Sequence, residues 1–392
     1  MRKNMIVTLK DITTKITKGT TPTSIGCKFE KSGINFIKSE SLVDGKTIDK
    51  SKFAFISERT HERLKRSQIE ENDILFSMAG MFLGKTGIAT AEVVPANTNQ
   101  AVAIIRVDDT KANYEYVYYY LNQKSVIHTI NTTSAQSAQP NINLKQIGKI
   151  KINLPDRKKQ DQIVSLLSAI DLKISNNVEI NDNLEQQAAA LFSSLYNRSN
   201  TEVRYTDLIQ ILGGGTPKTG ETAYWNGNIA FFTPKDVGTP YTFITEKTIT
   251  EEGLSHCNSR LYPVNTVFVT ARGTVGKVGL SGIPMAMNQS CYALVGKETH
   301  QLLVYFYTLK AVDRLKHKAS GAVFDAITTR DFDSEQIMKL SDDDAKAFLC
   351  VAEPMFQEML NNSIENLRLS TLRDFLLPKL MSGEIDVSSV QL

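Results

Sequence analysis

At 392 residues, with 41% hydrophobic and 22% charged residues, the chain is long enough for two or three domains with their own cores. Its formal net charge of +3 permits a nucleic-acid partner without demanding one. Apolar runs fall well short of the roughly 20 residues a membrane-spanning helix needs, and Met1-Arg2-Lys3-Asn4 opens no apolar leader, so a cytoplasmic protein is expected.

In chain order, the first predicted element is a turn at Lys18-Gly19-Thr20-Thr21-Pro22-Thr23. Short apolar runs bounded by Gly, Pro and Asn follow at Ile34–Ile37, Ile74–Phe76 and Ala101–Val107, and read as strands. Tyr114–Leu121 reads as an aromatic-rich helix, Thr132–Gln139 (with Gln136 at its middle) as an exposed loop, and Ile147–Leu154 as a strand that Pro155 closes.

A different segment comes next. From Ile163 the positions Ile163, Leu167, Ile170, Ile174, Asn177, Asn181, Leu184, Ala188, Leu191 and Leu195 alternate steps of four and three. That is a heptad seam, uninterrupted by Gly or Pro from Arg157 to Arg198, with Asp156 placed to cap it. Ile163 to Leu195 alone would span about 50 Å at ~1.5 Å per residue, longer than an ordinary domain helix. A coiled-coil spacer is expected, with two asparagines fixing its register.

The chain then repeats itself. Gly214-Gly215-Thr216-Pro217 returns the glycine-threonine-proline turn, and Ile229–Phe232 returns Ile34–Ile37. Thr266-Val267-Phe268 matches Ile74-Leu75-Phe76, Gly276-Lys277-Val278-Gly279 matches Gly84-Lys85-Thr86-Gly87, and Met287-Asn288-Gln289 matches Thr98-Asn99-Gln100. Order is kept while the offset drifts smoothly, which marks duplication rather than chance. Tyr292–Val295 is a further strand, Leu302–Ala311 a helix, and Lys316–Ala322 a loop. A last helix begins at Asp342-Asp343-Asp344, which supplies a cap and an acidic first turn. It carries apolar residues from Phe348 to Leu376, is interrupted by Pro354 and ended by Pro378, and aligns Phe375 with Phe192.

No catalytic constellation occurs in one copy and is echoed in the other. Ala79 to Thr86 fits a phosphate-loop spacing, yet the residues after it read as a strand, not the helix such a loop needs, and the sister copy has Val278 at the hydroxyl position. A nucleotide-hydrolysing enzyme, or a coiled-coil scaffold with duplicated protein-binding heads, remain the alternatives. The four cysteines are scattered, and His256-Cys257 stands alone, so no metal site is expected.

Side chains suited to DNA collect at the shared turns. The first copy offers Thr20, Thr21, Lys38, Ser39, Lys85, Asn99 and Gln100, with Gln136 in its later loop. The second offers Thr216, Lys218, Lys235, Asp236, Arg272, Lys277, Asn288 and Gln289, with Lys316, His317 and Lys318 as a basic loop. Asn, Gln, Arg and Lys read base edges; Ser, Thr and Lys hold phosphates. Residues common to both copies suit fold or backbone docking. Positions that differ, Gly80 against Arg272 or Ser39-Glu40 against Pro234-Lys235, suit reading different bases.

The whole plan resembles the specificity subunit of type I restriction–modification systems. The residues that carry the likeness are the paired glycine-threonine-proline turns, the two Gly-Lys-x-Gly stretches, Leu154-Pro155 followed by Gln160-Asp161-Gln162-Ile163-Val164, and Arg373 through Ile385. In one place the first copy departs from the family, having Gly80-Met81 where the second has Arg272-Gly273. The resemblance implies an α+β chain: two similar mixed α/β target recognition domains separated by two long antiparallel coiled-coil helices, a pseudo-twofold internal repeat. The expected divisions are 1–155, the spacer helix 156–200, 201–341, and the C-terminal helix and tail 342–392. It further implies a non-catalytic subunit that reads a bipartite site on double-stranded DNA and docks two methyltransferase subunits. Restriction and translocase subunits join in the full complex. S-adenosylmethionine and ATP with magnesium would act on those partners, with no cofactor in this chain.

Overall fold

The computed structural model describes residues 5–43, 45–134, 141–238, 240–318 and 326–387. The chain forms two compact units, Met1–Leu172 with Leu369–Leu392, and Lys173–Arg368.

In the first unit, β1 (Met5–Thr8), β2 (Thr13–Lys18), β3 (Ile34–Ile37), β4 (Ala54–Ile56) and α1 (Glu58–Arg63) come first. Then follow β5 (Gln68–Ile69), β6 (Ile74–Ser77), β7 (Thr86–Ile88), β8 (Ala96–Thr98) and β9 (Val102–Val107). The helices α2 (Tyr114–Leu121), α3 (Lys124–Ser134) and α4 (Leu144–Gly148) precede β10 (Lys151–Leu154), and α5 (Arg157–Arg198) begins here. An antiparallel sheet has the order β2-β9-β6-β7; a second has the order β4-β3-β8-β5, with β3 and β8 parallel. β1 pairs with β10.

Strand β6 is buried at every position because the sheet is covered on both faces. Ile74 and Phe76 join Ala103 and Ile105 in a core with Tyr116, Val117 and Leu121. Leu75 joins Val102 and Ile104 in a separate core with Leu42 and Ile48. That is the two-residue period of a strand, read as two different neighbourhoods.

The second unit continues with β11 (Thr201–Arg204), α6 (Tyr205–Leu208), β12 (Ile209–Gly213), β13 (Trp225–Phe232), β14 (Tyr241–Thr242), β15 (Lys247–Ile249) and α7 (Glu251–Ser255). After these come β16 (Val267–Thr270), β17 (Val278–Ser281), β18 (Met285–Met287) and β19 (Cys291–Gly296). The chain closes with α8 (Gln301–Lys318), α9 (Thr329–Ser334), β20 (Gln336–Lys339) and α10 (Asp342–Ser382). Its sheets run β12-β19-β16-β17-β14 and β15-β13-β18, and β11 pairs with β20. The orders β12-β19-β16-β17 and β15-β13-β18 repeat β2-β9-β6-β7 and β4-β3-β8, while β14 is an added edge strand and the place of β5 is taken by a single bridge, Tyr262 with Met285.

Register also corrects the sequence match at one place. Ile74 lies opposite Ile88 and Ile105; Val267 lies opposite Leu280 and Leu294. Ile74-Leu75-Phe76 thus corresponds to Val267-Phe268-Val269, one residue later than the sequence comparison placed it. The hairpin after β6 is longer by one residue than the hairpin after β16. Gly84 donates its N–H to the Ser77 carbonyl, whereas Gly276 donates to the carbonyl of Thr270. Counting from those anchors, Ala79, not Gly80, stands where the second copy has Arg272. Gly80 corresponds to Gly273, and both have positive φ (72° and 82°).

α5 is a continuous helix of 42 residues. The Asp156 carboxylate accepts the Lys159 N–H at 3.0 Å, the cap the sequence called for. Every seam position from Ile163 to Leu195 is buried or half-buried, in three different settings. Ile163, Val164 and Leu167 sit in the first unit's core with Leu377, Leu380 and Met381. Ala188, Phe192 and Leu195 sit in the second unit's core with Phe348, Ala352 and Phe356. Between them Asn177 and Asn181 meet a run of polar residues on α10. Asn177 donates to Glu365 Oε2 at 2.7 Å and Asn366 Oδ1 at 2.9 Å, while Asn181 accepts from Asn362 at 3.0 Å. Rising numbers on α5 meet falling numbers on α10, so the pair is antiparallel within this unit, and Asp171–Arg373 with Lys159–Asp386 gives the same sense in the first.

Several expectations fail locally. α10 is one helix of 41 residues that runs through both Pro354 and Pro378. Each proline removes one intrahelical bond, but buried Phe348, Ala352, Phe356, Leu377 and Leu380 hold the turns on either side. The cap of α10 is Ser341, whose hydroxyl accepts the Asp344 N–H at 3.1 Å, with the three aspartates forming its first turn. Phe375 is 57% exposed where Phe192 is 1% exposed, so the two do not share an environment. The first part of the expected strand Ile147–Leu154 is instead the end of α4, because Asn143 and Gln146 close a reciprocal capping box. Lys316, His317 and Lys318 end α8 and are not in a loop; Thr132, Thr133 and Ser134 likewise lie in α3. The rest of those two expected loops, Gln136 included, lies outside the described residues.

Candidate nucleic-acid interface

The antiparallel order β2-β9-β6-β7 puts the end of β2, the start of β9, the end of β6 and the start of β7 on one rim of the sheet. The parallel pair β3 and β8 delivers the segments after Ile37 and Thr98 together. Thr20, Thr21, Lys38, Ser39, Lys85, Asn99 and Gln100 all occupy these segments. In the second unit the same strand ends carry Thr216, Lys218, Lys235, Arg272, Lys277, Asn288 and Gln289. The topology thus gathers residues far apart in sequence.

The shared residues build the rim. Thr20 N–H donates to the Thr98 carbonyl, and Gly215 N–H donates to the Met287 carbonyl, both at 3.1 Å. A Cβ on Gly19 would stand 1.8 Å from the Thr98 oxygen, and one on Gly214 2.2 Å from the Asn288 oxygen. Only glycine permits that approach. Thr21 donates its hydroxyl to Gln100, as Thr216 does to Gln289. Asn99 and Asn288 each accept the N–H two residues ahead at 3.0 Å, holding their own turns. In Gly-Lys-x-Gly the first glycine has positive φ (84° and 75°). A Cβ on the second would stand 2.9 Å from Ile48 in the first unit and 3.1 Å from the Gly238 carbonyl in the second.

Several of the residues left to face outward differ between the copies, Arg272 and Lys218 among them, while Lys277 matches Lys85. Among the described residues, no acceptor engages the exposed Arg272 guanidinium or the amines of Lys218, Lys277 and Lys316. The Thr274 hydroxyl, bonded to the Pro234 carbonyl at 3.0 Å, stiffens the hairpin that presents Arg272. Beside it lies a cleft of roughly 420 Å³ bounded by Thr233, Lys235, Gly273 and Asn288. The Lys316 chain reaches the same hairpin, since a Cβ on Gly276 would stand 2.6 Å from it. Lys318 instead pairs with the buried carboxylate of Glu335, and Lys235 with Glu246 at 3.4 Å. Asp236 is internal scaffolding, accepting from Thr233 and Glu246 backbone N–H groups at 2.7 and 2.8 Å. In the first unit Lys38 lies 3.5 Å from Glu40 and over the Phe29 ring.

Two arginines were missed. Arg66 donates to the Thr20 hydroxyl at 3.2 Å, and Arg63 to the Ile25 carbonyl at 3.1 Å, so both border the first rim. The signal in the sequence was the basic cluster Arg63, Lys65 and Arg66.

The phosphate-loop spacing belongs to a hairpin: a short 3-10 turn, Gly80–Phe82, leads into β7 with no helix after it. Burial pushes the Cys291 thiol up to about 12, so it stays protonated. Among the described residues no group of His, Cys, Asp and Glu is arranged to hold a metal, and no helix is long and apolar enough to cross a membrane.

A duplicated α+β scaffold that gathers polar and basic loops at one rim of each copy defines a repeat protein with two equivalent candidate binding surfaces. The type I restriction modification DNA specificity domain matches residues 1–186 and again 197–339. The chain therefore belongs to that family, with one specificity domain in each copy, and is a type I restriction–modification specificity subunit. It is 23% identical to the HindI specificity subunit of Haemophilus influenzae, over 69% of this chain and 77% of that one. It is 28% identical to the EcoR124I/EcoR124II specificity subunit of Escherichia coli, over 54% of each. The crystal structure of an S subunit from M. genitalium shares the fold, with a TM-score of 0.58 at 15% identity, covering 96% of this chain and 95% of that one.

Proposed function

We propose that each rim reads one half of an interrupted DNA site, and that α5 and α10 set the gap between the halves and dock two methyltransferase subunits. The observation that carries this reading is the pair of equivalent rims, whose shared residues hold the loops while outward residues such as Arg272 and Lys218 differ. Thr20, Thr21, Thr216 and Lys277 are assigned to backbone docking, Gln100 and Gln289 to holding the rim, and Arg272 and Lys218 to base edges. The chain itself is non-catalytic and cytoplasmic. S-adenosylmethionine for adenine methylation, and ATP with magnesium for translocation, act on the partner subunits. The domain divisions 1–155, 156–200, 201–341 and 342–392 are part of the same proposal.

The test is a four-residue insertion, about one helical turn, in the middle of α5, with a matching insertion in α10. Methylated sites made with the cognate methyltransferase are then mapped by sequencing. A longer gap with both half-sites unchanged is expected; an unchanged gap would remove the ruler.

A further inference from the structure

The other end of the first unit carries a cluster of charge that the rim does not use. Lys10 lies in the turn before β2, Lys15 in its first half, Lys145 and Lys149 on and just after α4, and Lys151 at the start of β10, opposite Thr8. Four of them line an open cavity of roughly 580 Å³, and Lys149 and Lys151 line an adjacent one of roughly 460 Å³. Among the described residues none of the five has a carboxylate within 4.0 Å, and Asp11, whose carboxyl accepts from Thr8, feels the charge of Lys10 among them.

The duplication supplies an internal control. Equivalent hydrogen bonds, Leu9 N–H to the Ile150 carbonyl and Tyr205 N–H to the Glu335 carbonyl, fix the match between the two bases. By that match Lys10, Lys15, Lys149 and Lys151 correspond to Thr206, Gln210, Ser334 and Gln336, and only Lys145 keeps a charge, as Arg330. The fold is built equally well with neutral residues, so it does not explain the lysines. Like charges held together cost stability unless something offsets them.

We propose that this base is a second, sequence-indifferent contact for nucleic-acid backbone, an inference that rests on the DNA-reading function above. The set is all lysine, compact point charges suited to a row of phosphates, without the arginine forks or aromatic anchors that protein interfaces favour. β2 runs from Lys15 at the base to Lys18 beside the Gly19 turn at the rim, so base and rim are opposite ends of one sheet. The base therefore meets a stretch of backbone other than the one under the rim.

The test is the full assembly carrying K10T, K15Q, K149S and K151Q, each the residue of the other copy, titrated against a random-sequence duplex from low to high salt. Losing two to four phosphate contacts at about 0.9 each should make the slope of log Kobs against log salt shallower by roughly 2 to 4. The methylated sequence should stay unchanged. An unchanged slope overturns the proposal; an unchanged slope with weakened subunit assembly assigns the base to an acidic protein surface instead. K149S alone, expected to lower the slope by about one, guards against misfolding of the fourfold variant. A wild-type assembly without sequence preference would sink the DNA-reading function, not this contact.

Discussion

Thr21 donates its hydroxyl hydrogen to the side-chain oxygen of Gln100, tying the turn after β2 to the turn before β9. Thr216 and Gln289 make the same bond in the second unit. Repetition of a half-exposed bond with identical partners marks it as part of how the rim is held. Because the pair is solvent-accessible, its net contribution belongs at the lower end of about 0.5–1.5 kcal/mol. Thr21→Val and Gln100→Ala should each cost that amount, and the double variant no more than either alone. A double-mutant cycle by urea denaturation checks this; additive costs would show that the two side chains act separately.

The glycines before these threonines are predicted to be far less tolerant. Gly214→Ala forces a methyl to within 2.2 Å of the Asn288 oxygen, which is backbone and cannot step aside. The expected cost is about 1–3 kcal/mol or more. Gly213→Ala, one residue earlier and with nothing within 4 Å, should be close to neutral. Thermal unfolding of both variants makes the comparison.

In the spacer, the two seam asparagines should behave differently. Asn177 is fully buried and its Oδ1 has no partner. Asn177→Leu removes that orphan, and the acceptors it releases, Glu365 and Asn366, are half-exposed and can turn to water, so the unfolding midpoint should change little. Asn181→Leu strips the acceptor from Asn362, itself nearly buried. It should cost about 1–3 kcal/mol, the penalty for stranding a buried polar group. Guanidinium titration of each variant settles the order.

Pro354 sits more than three turns inside α10 and is exposed. Pro354→Ala restores one backbone bond and relieves the ring's clash with the preceding turn. Stabilisation of up to about 3 kcal/mol is expected, read as a higher melting temperature; a lower one would show that α10 is built around the proline.

At the second rim, Arg272→Ala should relax methylation at one base position, a loss of about 1–3 kcal/mol in discrimination. Lys277→Ala should weaken binding evenly across sequences and lower the salt slope by about one. Site mapping alongside salt titration separates the two roles. If both variants behaved alike, the division between shared and differing residues would be wrong.

How far the sequence carried the fold depended on the kind of signal. Strands such as Ile74–Ser77 and Val267–Thr270 were legible because short apolar runs recur with matching turns. The seam of α5 was legible because its period is regular over many turns. The extra residue in the β6–β7 hairpin was not, since sequence matching can place a one-residue gap at any of several points and only hydrogen-bond register fixes it. That slip had set Gly80 against Arg272. α4 was missed because a five-residue helix rests on one capping box, Asn143 with Gln146, and not on a period. Arg66 was missed because it lies 46 residues from Thr20 in sequence and only the fold brings the two together.

The two units differ in how their chain is drawn. The second is a single stretch, Lys173–Arg368, whereas the first is completed by Leu369–Leu392. Leu377, Leu380 and Met381 fill the first unit's core, and Asn153 donates to the Met381 carbonyl at 2.8 Å. On the ribosome, then, the half synthesised earliest cannot finish until the closing segment emerges, while the later half can mature on its own. The last turns of the chain act as a stopper for its opening part, so a truncation there should leave Lys173–Arg368 folded and expose the amino-terminal half to proteases.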